Sequence, residues 1–162
     1  MLEPEESALY VRRAVLIRAE PDGVWRHFTT FEAMAAWWGV IVGDPQAGTA
    51  NGMTLIAYEP REGGRIEMEV PAGGTPLRFG GVIKAFEAER RMIFENDWMP
   101  NQGWKKPTYV CLRLAPVLGG TLVELLHYGF ERVGGDVADE YAGYEAGWGV
   151  TQLMALKARA ES

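Results

Sequence analysis

A single cysteine, Cys111, stands in the 162 residues, so no intramolecular disulfide can form, which fits a reducing compartment. With only two histidines, His27 and His127, the chain offers no ligand spacing of the zinc kind, and no metal or other cofactor is expected. No apolar run approaches the roughly 20 residues that a membrane span needs. The opening stretch, MLEPEESALY, is acidic and has no basic segment ahead of an apolar one, so it does not read as a secretory signal. Sixteen basic residues face 22 acidic ones, a net charge of −6, and a nucleic-acid partner is not expected. Nucleophile motifs such as G-x-S-x-G are missing as well, as are internal repeats and low-complexity tracts. What remains is a cytoplasmic globular chain, one domain over 1–162 with its core at about 9–159. A hydrophobic fraction of 48% is enough to build that core without staples.

Most of the chain reads as short strands. The runs 9–17, 53–58, 65–70, 77–86, 91–98, 108–114 and 121–130 are rich in β-branched and aromatic residues; glycine or proline marks the breaks between them, except at Glu87-Ala88-Glu89-Arg90. In 65–70, Ile66, Met68 and Val70 alternate with Arg65, Glu67 and Glu69, the period of a half-buried strand. After the first strand, Glu20-Pro21-Asp22 opens a short helix with Val24, Trp25 and Phe28 on its inner face. A second helix spans Phe31–Trp38 and ends at Gly39, and residues 40–52 read as a loop. Glycine pairs at 63–64, 73–74, 80–81, 119–120 and 134–135 fall between or within strands, where they turn or bend a curved sheet. Strands thus dominate and helices are segregated, which predicts an α+β fold with an antiparallel sheet.

The last stretch, from Asp136 to about Arg159, predicts one long helix with Asp136 as its N-cap. Val137, Tyr141, Tyr144 and Trp148 follow at steps of four, three and four residues, which puts them on one face, and Gln152 continues the line. At about 1.5 Å per residue such a helix is on the order of 35 Å long and crosses a whole small domain. Packed across a curved sheet, it would enclose a cavity lined by tyrosine and tryptophan.

Four segments in this order resemble one family. They are EPDGVWRHFTTFEAMAAWWG, YEPREGGRIEMEV, GGVIKAFEAERRMIFEN, and GTLVELLHYGF followed by GYEAGWGVTQLMAL. Together they are similar to the START-like (SRPBCC, helix-grip) superfamily, in its Aha-type branch, named for the activator of the heat-shock-protein-90 ATPase. The resemblance runs from about Tyr10 to Leu156. It implies a bent antiparallel sheet of about six or seven strands wrapped on a long C-terminal helix, with two short helices after the first strand. Two departures stand out: Ala88-Glu89 replaces a usual proline, and Gln152 replaces a leucine frequent four residues after the tryptophan. The glutamine either brings a hydrogen-bonding group to the cavity or shifts the helix face by one residue.

The ligand-binding set expected from shared parity and phase is Trp98, His127, Tyr141, Tyr144, Trp148, Asn96 and Gln152. Buried tyrosine hydroxyls and indole N–H groups need partners, which a bound molecule can supply; plain core packing is the other reading of the same stripe. His127 shares parity with Val123 and Leu125 and faces inward, as an acid or base, as a donor orienting a bound carbonyl, or as a satisfied core residue, while Glu124 and Tyr128 face away. Asn96 shares inward parity with Met92 and Phe94; it either meets a ligand or marks the strand's exit into solvent. Cys111 falls on the outer face. No catalytic residue is assigned. The reading is a binding or sequestration protein for an apolar small molecule, aromatic ones included, acting as a monomer or homodimer. The alternatives are a cyclase, dehydratase or hydrolase-type enzyme and a co-chaperone-like interaction module.

Overall fold

The structure is a computed structural model and describes residues 1–39, 41–42, 51–71 and 74–162, with the backbone alone at 41, 42 and 51. Strand β1 (Tyr10–Ile17) leads into α1 (Pro21–Trp25), whose first residue is a proline that has no N–H to leave unsatisfied at a helix start. A 3-10 turn at Arg26–Phe28 follows, and then α2 (Phe31–Trp38). The Thr30 side chain caps α2 by accepting from the Ala33 N–H at 3.0 Å, and the helix stops at Gly39, as its sequence suggests. Val24, Trp25, Phe28, Met34, Trp37 and Trp38 from this segment are all buried. The expected loop over 40–52 contains a two-residue ladder, β2 (Ile41–Val42) with β3 (Asn51–Gly52); its remainder, 40 and 43–50, lies outside the described residues.

Six longer strands follow: β4 (Thr54–Tyr58), β5 (Arg65–Val70), β6 (Leu77–Glu87), β7 (Arg91–Met99), β8 (Thr108–Val117) and β9 (Gly120–Tyr128). With β1 they form a seven-stranded sheet in the order β1-β9-β8-β7-β6-β5-β4, antiparallel throughout and not closed. The sheet bends at particular residues. Gly80 sits at φ +138°, and a Cβ there would lie 2.1 Å from the Ile66 carbonyl oxygen, so only glycine fits. Register shifts at Leu55/Ala57 and Ile83/Ala85 add curvature. The concave face holds the main core, in which Ile66, Met68, Ile83, Met92, Phe94, Leu112 and Leu125 meet α1, α2 and the C-terminal helix.

That helix is bent. It comprises α3 (Val137–Gly147) and α4 (Thr151–Ala160), parted at Trp148-Gly149-Val150. Asp136 caps α3 as expected, accepting from the Asp139 N–H at 3.1 Å. The interruption has a local cause. Gly147 and Gly149 flank the break, and each glycine disfavours helix by about 1 kcal/mol relative to alanine. Trp148 between them is extended, at φ −73° and ψ 120°. The side chain of Arg13 then binds the freed ends, donating to the Trp148 carbonyl at 3.0 Å and the Glu145 carbonyl at 2.9 Å.

The convex face of the sheet differs from a simple outer surface. Tyr128 and Cys111 do lie on it, yet both are fully buried, in a second cluster with Ala85, Ile93, Tyr109 and Leu126. The acidic N-terminal segment covers them. Leu2 packs on the cluster, the Tyr128 hydroxyl donates to the Leu2 carbonyl at 2.8 Å, and Glu3 and Glu5 pair with Arg91 and Arg113, each at 2.6 Å.

Candidate functional site

Between the sheet and the C-terminal helix lies a cavity of about 530 Å³. Small-molecule sites span about 300–1,000 Å³, so it is of ligand size. Met53, Val70, Phe79 and Asn96 line it from the sheet side, Glu140, Gly143 and Tyr144 from α3, Trp148 from the break, and Thr151 and Gln152 from the start of α4. The wall that α3 contributes is unusually bare. Gly143, Ala146 and Gly147 all border the cavity, and a Cβ built on either glycine meets nothing within 4 Å among the described residues.

By contrast, the aromatic stripe of α3 points mainly into the protein. At about 100° per residue, Tyr141 and Tyr144 stand roughly a quarter to a half turn from the glycine face. The Tyr144 ring meets His127 edge-on with centroids 4.6 Å apart and Phe130 at 5.4 Å. Tyr141 packs on Phe130 and donates its hydroxyl to the Tyr10 carbonyl at 3.2 Å.

His127 is fully buried, with both ring nitrogens engaged. The Trp148 indole N–H donates to Nδ1 at 2.8 Å, and because an indole nitrogen only donates, Nδ1 carries no proton. The proton therefore sits on Nε2, which donates to the Thr108 hydroxyl at 2.8 Å, and that hydroxyl donates to the Asn96 carbonyl at 2.9 Å. Burial away from any carboxylate partner pushes the imidazole down to about 3, so it stays neutral. This relay ties the helix break to β8 and β7.

Of the residues expected from sequence, Asn96, Tyr144, Trp148 and Gln152 border the cavity. His127, Tyr141 and Trp98 stand behind its wall: His127 holds Trp148, and the Trp98 ring packs on Phe79 with centroids 5.8 Å apart. Asn96 is 3% exposed, and its Oδ1 has no hydrogen-bond partner among the described residues. The side chains of Gln152 and Tyr144 make no hydrogen bond to the described residues either, and burial raises the Tyr144 hydroxyl well above its ordinary value. Sequence reasoning missed the glycine wall and the two carboxylates beside it, Asp139 and Glu140. Glycines at 143, 147 and 149 inside a helical pattern were the available signal, since each costs helix stability unless something else requires it.

A family model described as activator of Hsp90 ATPase homolog 1-like protein matches residues 18–161. The chain belongs to that family. No functionally curated protein matches it. Solved structures show the fold of this Hsp90-ATPase-activator-like chain repeatedly. It is similar to protein CV1439 from Chromobacterium violaceum, with 22% identity over 94% of this chain and 98% of that one, at TM-score 0.65. It is also similar to the Aha1 dimer from Colwellia psychrerythraea, at 18% identity over 94% and 96% of the two chains and TM-score 0.57. DynU16, a protein from the dynemicin biosynthetic locus, matches at 19% identity and TM-score 0.63 over 94% of this chain but 47% of its own length. At these identities the family member shares a helix-grip fold with them, and the likeness goes no further.

Proposed function

We propose that the protein binds or sequesters an apolar small molecule, aromatic ones included, in the cavity between the C-terminal helix and the sheet. The observation that carries this reading is the Asn96 side chain, which is buried in the cavity wall and whose amide oxygen has no partner among the described residues. A buried acceptor left without a partner costs about 1–3 kcal/mol, and a ligand donor would remove that cost. Met53, Val70, Phe79 and Trp148 supply apolar surface around it, and Tyr144 and Gln152 add two further orienting groups. In this reading Asn96, Tyr144, Trp148 and Gln152 touch the ligand, while Trp98, His127 and Tyr141 hold those groups in place. The chain acts as one START-like domain in the cytoplasm, as a monomer or homodimer.

The enzyme alternative draws no support from His127, which as a neutral, doubly hydrogen-bonded imidazole has no free nitrogen to offer a substrate. No surface feature among the described residues favours the co-chaperone alternative. Native mass spectrometry of protein purified from its own host tests the proposal. Retained mass of a few hundred daltons that is lost in Gly143→Leu is expected. Protein that arrives empty, and whose Asn96 and Gly143 amide resonances do not move with any neutral apolar compound, would overturn it.

A further inference from the structure

We infer that the cavity selects against anionic ligands and takes a flat apolar molecule whose head group is neutral or cationic. The inference rests on the binding reading above and adds the charge class of the ligand. Two carboxylates, Asp139 and Glu140, border the cavity, and neither is in an ion pair among the described residues. The described wall contains no lysine, arginine or histidine. Residues 40–51, VIVGDPQAGTAN, carry no basic residue either, so the whole segment between α2 and Gly52 cannot supply one. Arg13 is the cation nearest the helix break by its contacts, and it is spent on the Glu145 and Trp148 carbonyls.

The start of α4 argues the other way, because a helix N-terminus attracts anions and Thr151 and Gln152 border the cavity. Its effective charge is about +0.5, however, and the C-terminus of α3 brings about −0.5 to the same break. These nearly cancel, which leaves two full negative charges in control. Deeper in, the polar atoms are uncharged. Asn96 is neutral and 97% buried, and its Oδ1, without a partner among the described residues, asks for a donor such as a hydroxyl, amide or ammonium N–H, which a carboxylate lacks. The bare face at Gly143 and Gly147 leaves room for a ring to lie directly against the helix backbone.

Three probes of one shape test this: 2-naphthylmethanol, 2-naphthylmethylammonium and 2-naphthoate, titrated into the full chain and followed by protein NMR at low salt. The ammonium and the alcohol should bind with shifts at Asn96, Gly143 and Gln152, and the carboxylate should bind about tenfold more weakly or worse. In the double variant Asp139→Asn with Glu140→Gln the gap between ammonium and carboxylate should narrow, while the alcohol is unaffected. A carboxylate that binds as tightly as the alcohol would overturn the charge inference and leave the cavity reading standing. If none of the three moves those resonances, both fall.

Discussion

His127 turns the pH dependence of stability into a test of the cavity's supporting relay. The imidazole ordinarily titrates near 6.5 and is pushed down to about 3 in the fold by burial. Above pH 6.5 it is neutral whether the chain is folded or not, and it adds no pH dependence. Below 6.5 the unfolded chain takes up a proton that the native state refuses, so stability falls with pH until the native group itself protonates near 3. The slope is about 1.4 kcal/mol per pH unit, so pH 5 should cost about 2 kcal/mol relative to pH 8. Carboxylates titrate nearby, and His27, which burial also lowers, adds its own contribution. Comparison with His127→Gln removes both, because they titrate alike in the two proteins. The assay is urea unfolding followed by tryptophan fluorescence at half-unit steps from pH 8 to 5. The stability gap between wild type and His127→Gln should be constant above 7 and close by about 2 kcal/mol at pH 5. A gap that stays constant to pH 5 would show that the native imidazole accepts a proton, and the Trp148–His127–Thr108 relay would then be misassigned.

Trp148→Phe keeps a ring at the cavity edge but leaves the buried Nδ1 of His127 without a donor, which should cost about 1–3 kcal/mol. At about 2–4 °C per kcal/mol for a chain of this size, calorimetry should show a clear fall in Tm, and an unchanged Tm would mean water replaces the indole. Tyr58→Phe removes a buried hydroxyl that donates to the Phe28 carbonyl at 2.6 Å and should lower stability by about 1–2 kcal/mol in chemical denaturation, with no effect on ligand binding. Gly143→Leu should fill the cavity from an ordinary helical backbone, holding or raising Tm while abolishing probe binding, and retained binding would place the ligand elsewhere. The Cys111 thiol, pushed up to about 12 by burial, should react with iodoacetamide only slowly until Glu3→Ala and Glu5→Ala loosen the N-terminal segment; rapid alkylation of wild type would contradict the packing over the convex face.

The sheet was legible because alternation is a local property. In β5 the pattern of Ile66, Met68 and Val70 needs no knowledge of neighbours, and α2 is bounded by its own cap and glycine. Two features were less legible. Steps of four, three and four carry a helical phase straight through Trp148, but glycines on either side weaken the helix there, and the bond of the indole to a histidine 21 residues away holds the turned backbone in place. Likewise, Tyr128 alternates as an outward residue, and it is buried by its neighbours on the convex face, Tyr109 among them, together with the return of Leu2 across the sheet, 126 residues away. At the site, bulk drew attention to the aromatic face, of which Tyr144 and Trp148 do border the cavity, whereas Gly143, Ala146 and Gly147 of α3, which have almost no side chain, also form its wall.

That bare helix is also less tied down than its continuation, α4. Leu153 and Leu156 anchor α4 in the core, and Lys157 and Arg159 bind the Leu16 and Ala36 carbonyls. No residue of α3 is buried, and its tethers are the Tyr141 hydroxyl, the half-buried Tyr144 ring on His127 and Phe130, the Arg13 side chain on the Glu145 carbonyl, and the Trp148 indole at its end. The two halves should therefore exchange their amide protons as separate cooperative units, α3 opening at a cost well below global unfolding and α4 close to it. Part of any ligand's affinity would then be spent on holding α3 closed, and occupancy would be read most sensitively as slowed exchange at 137–147 alone.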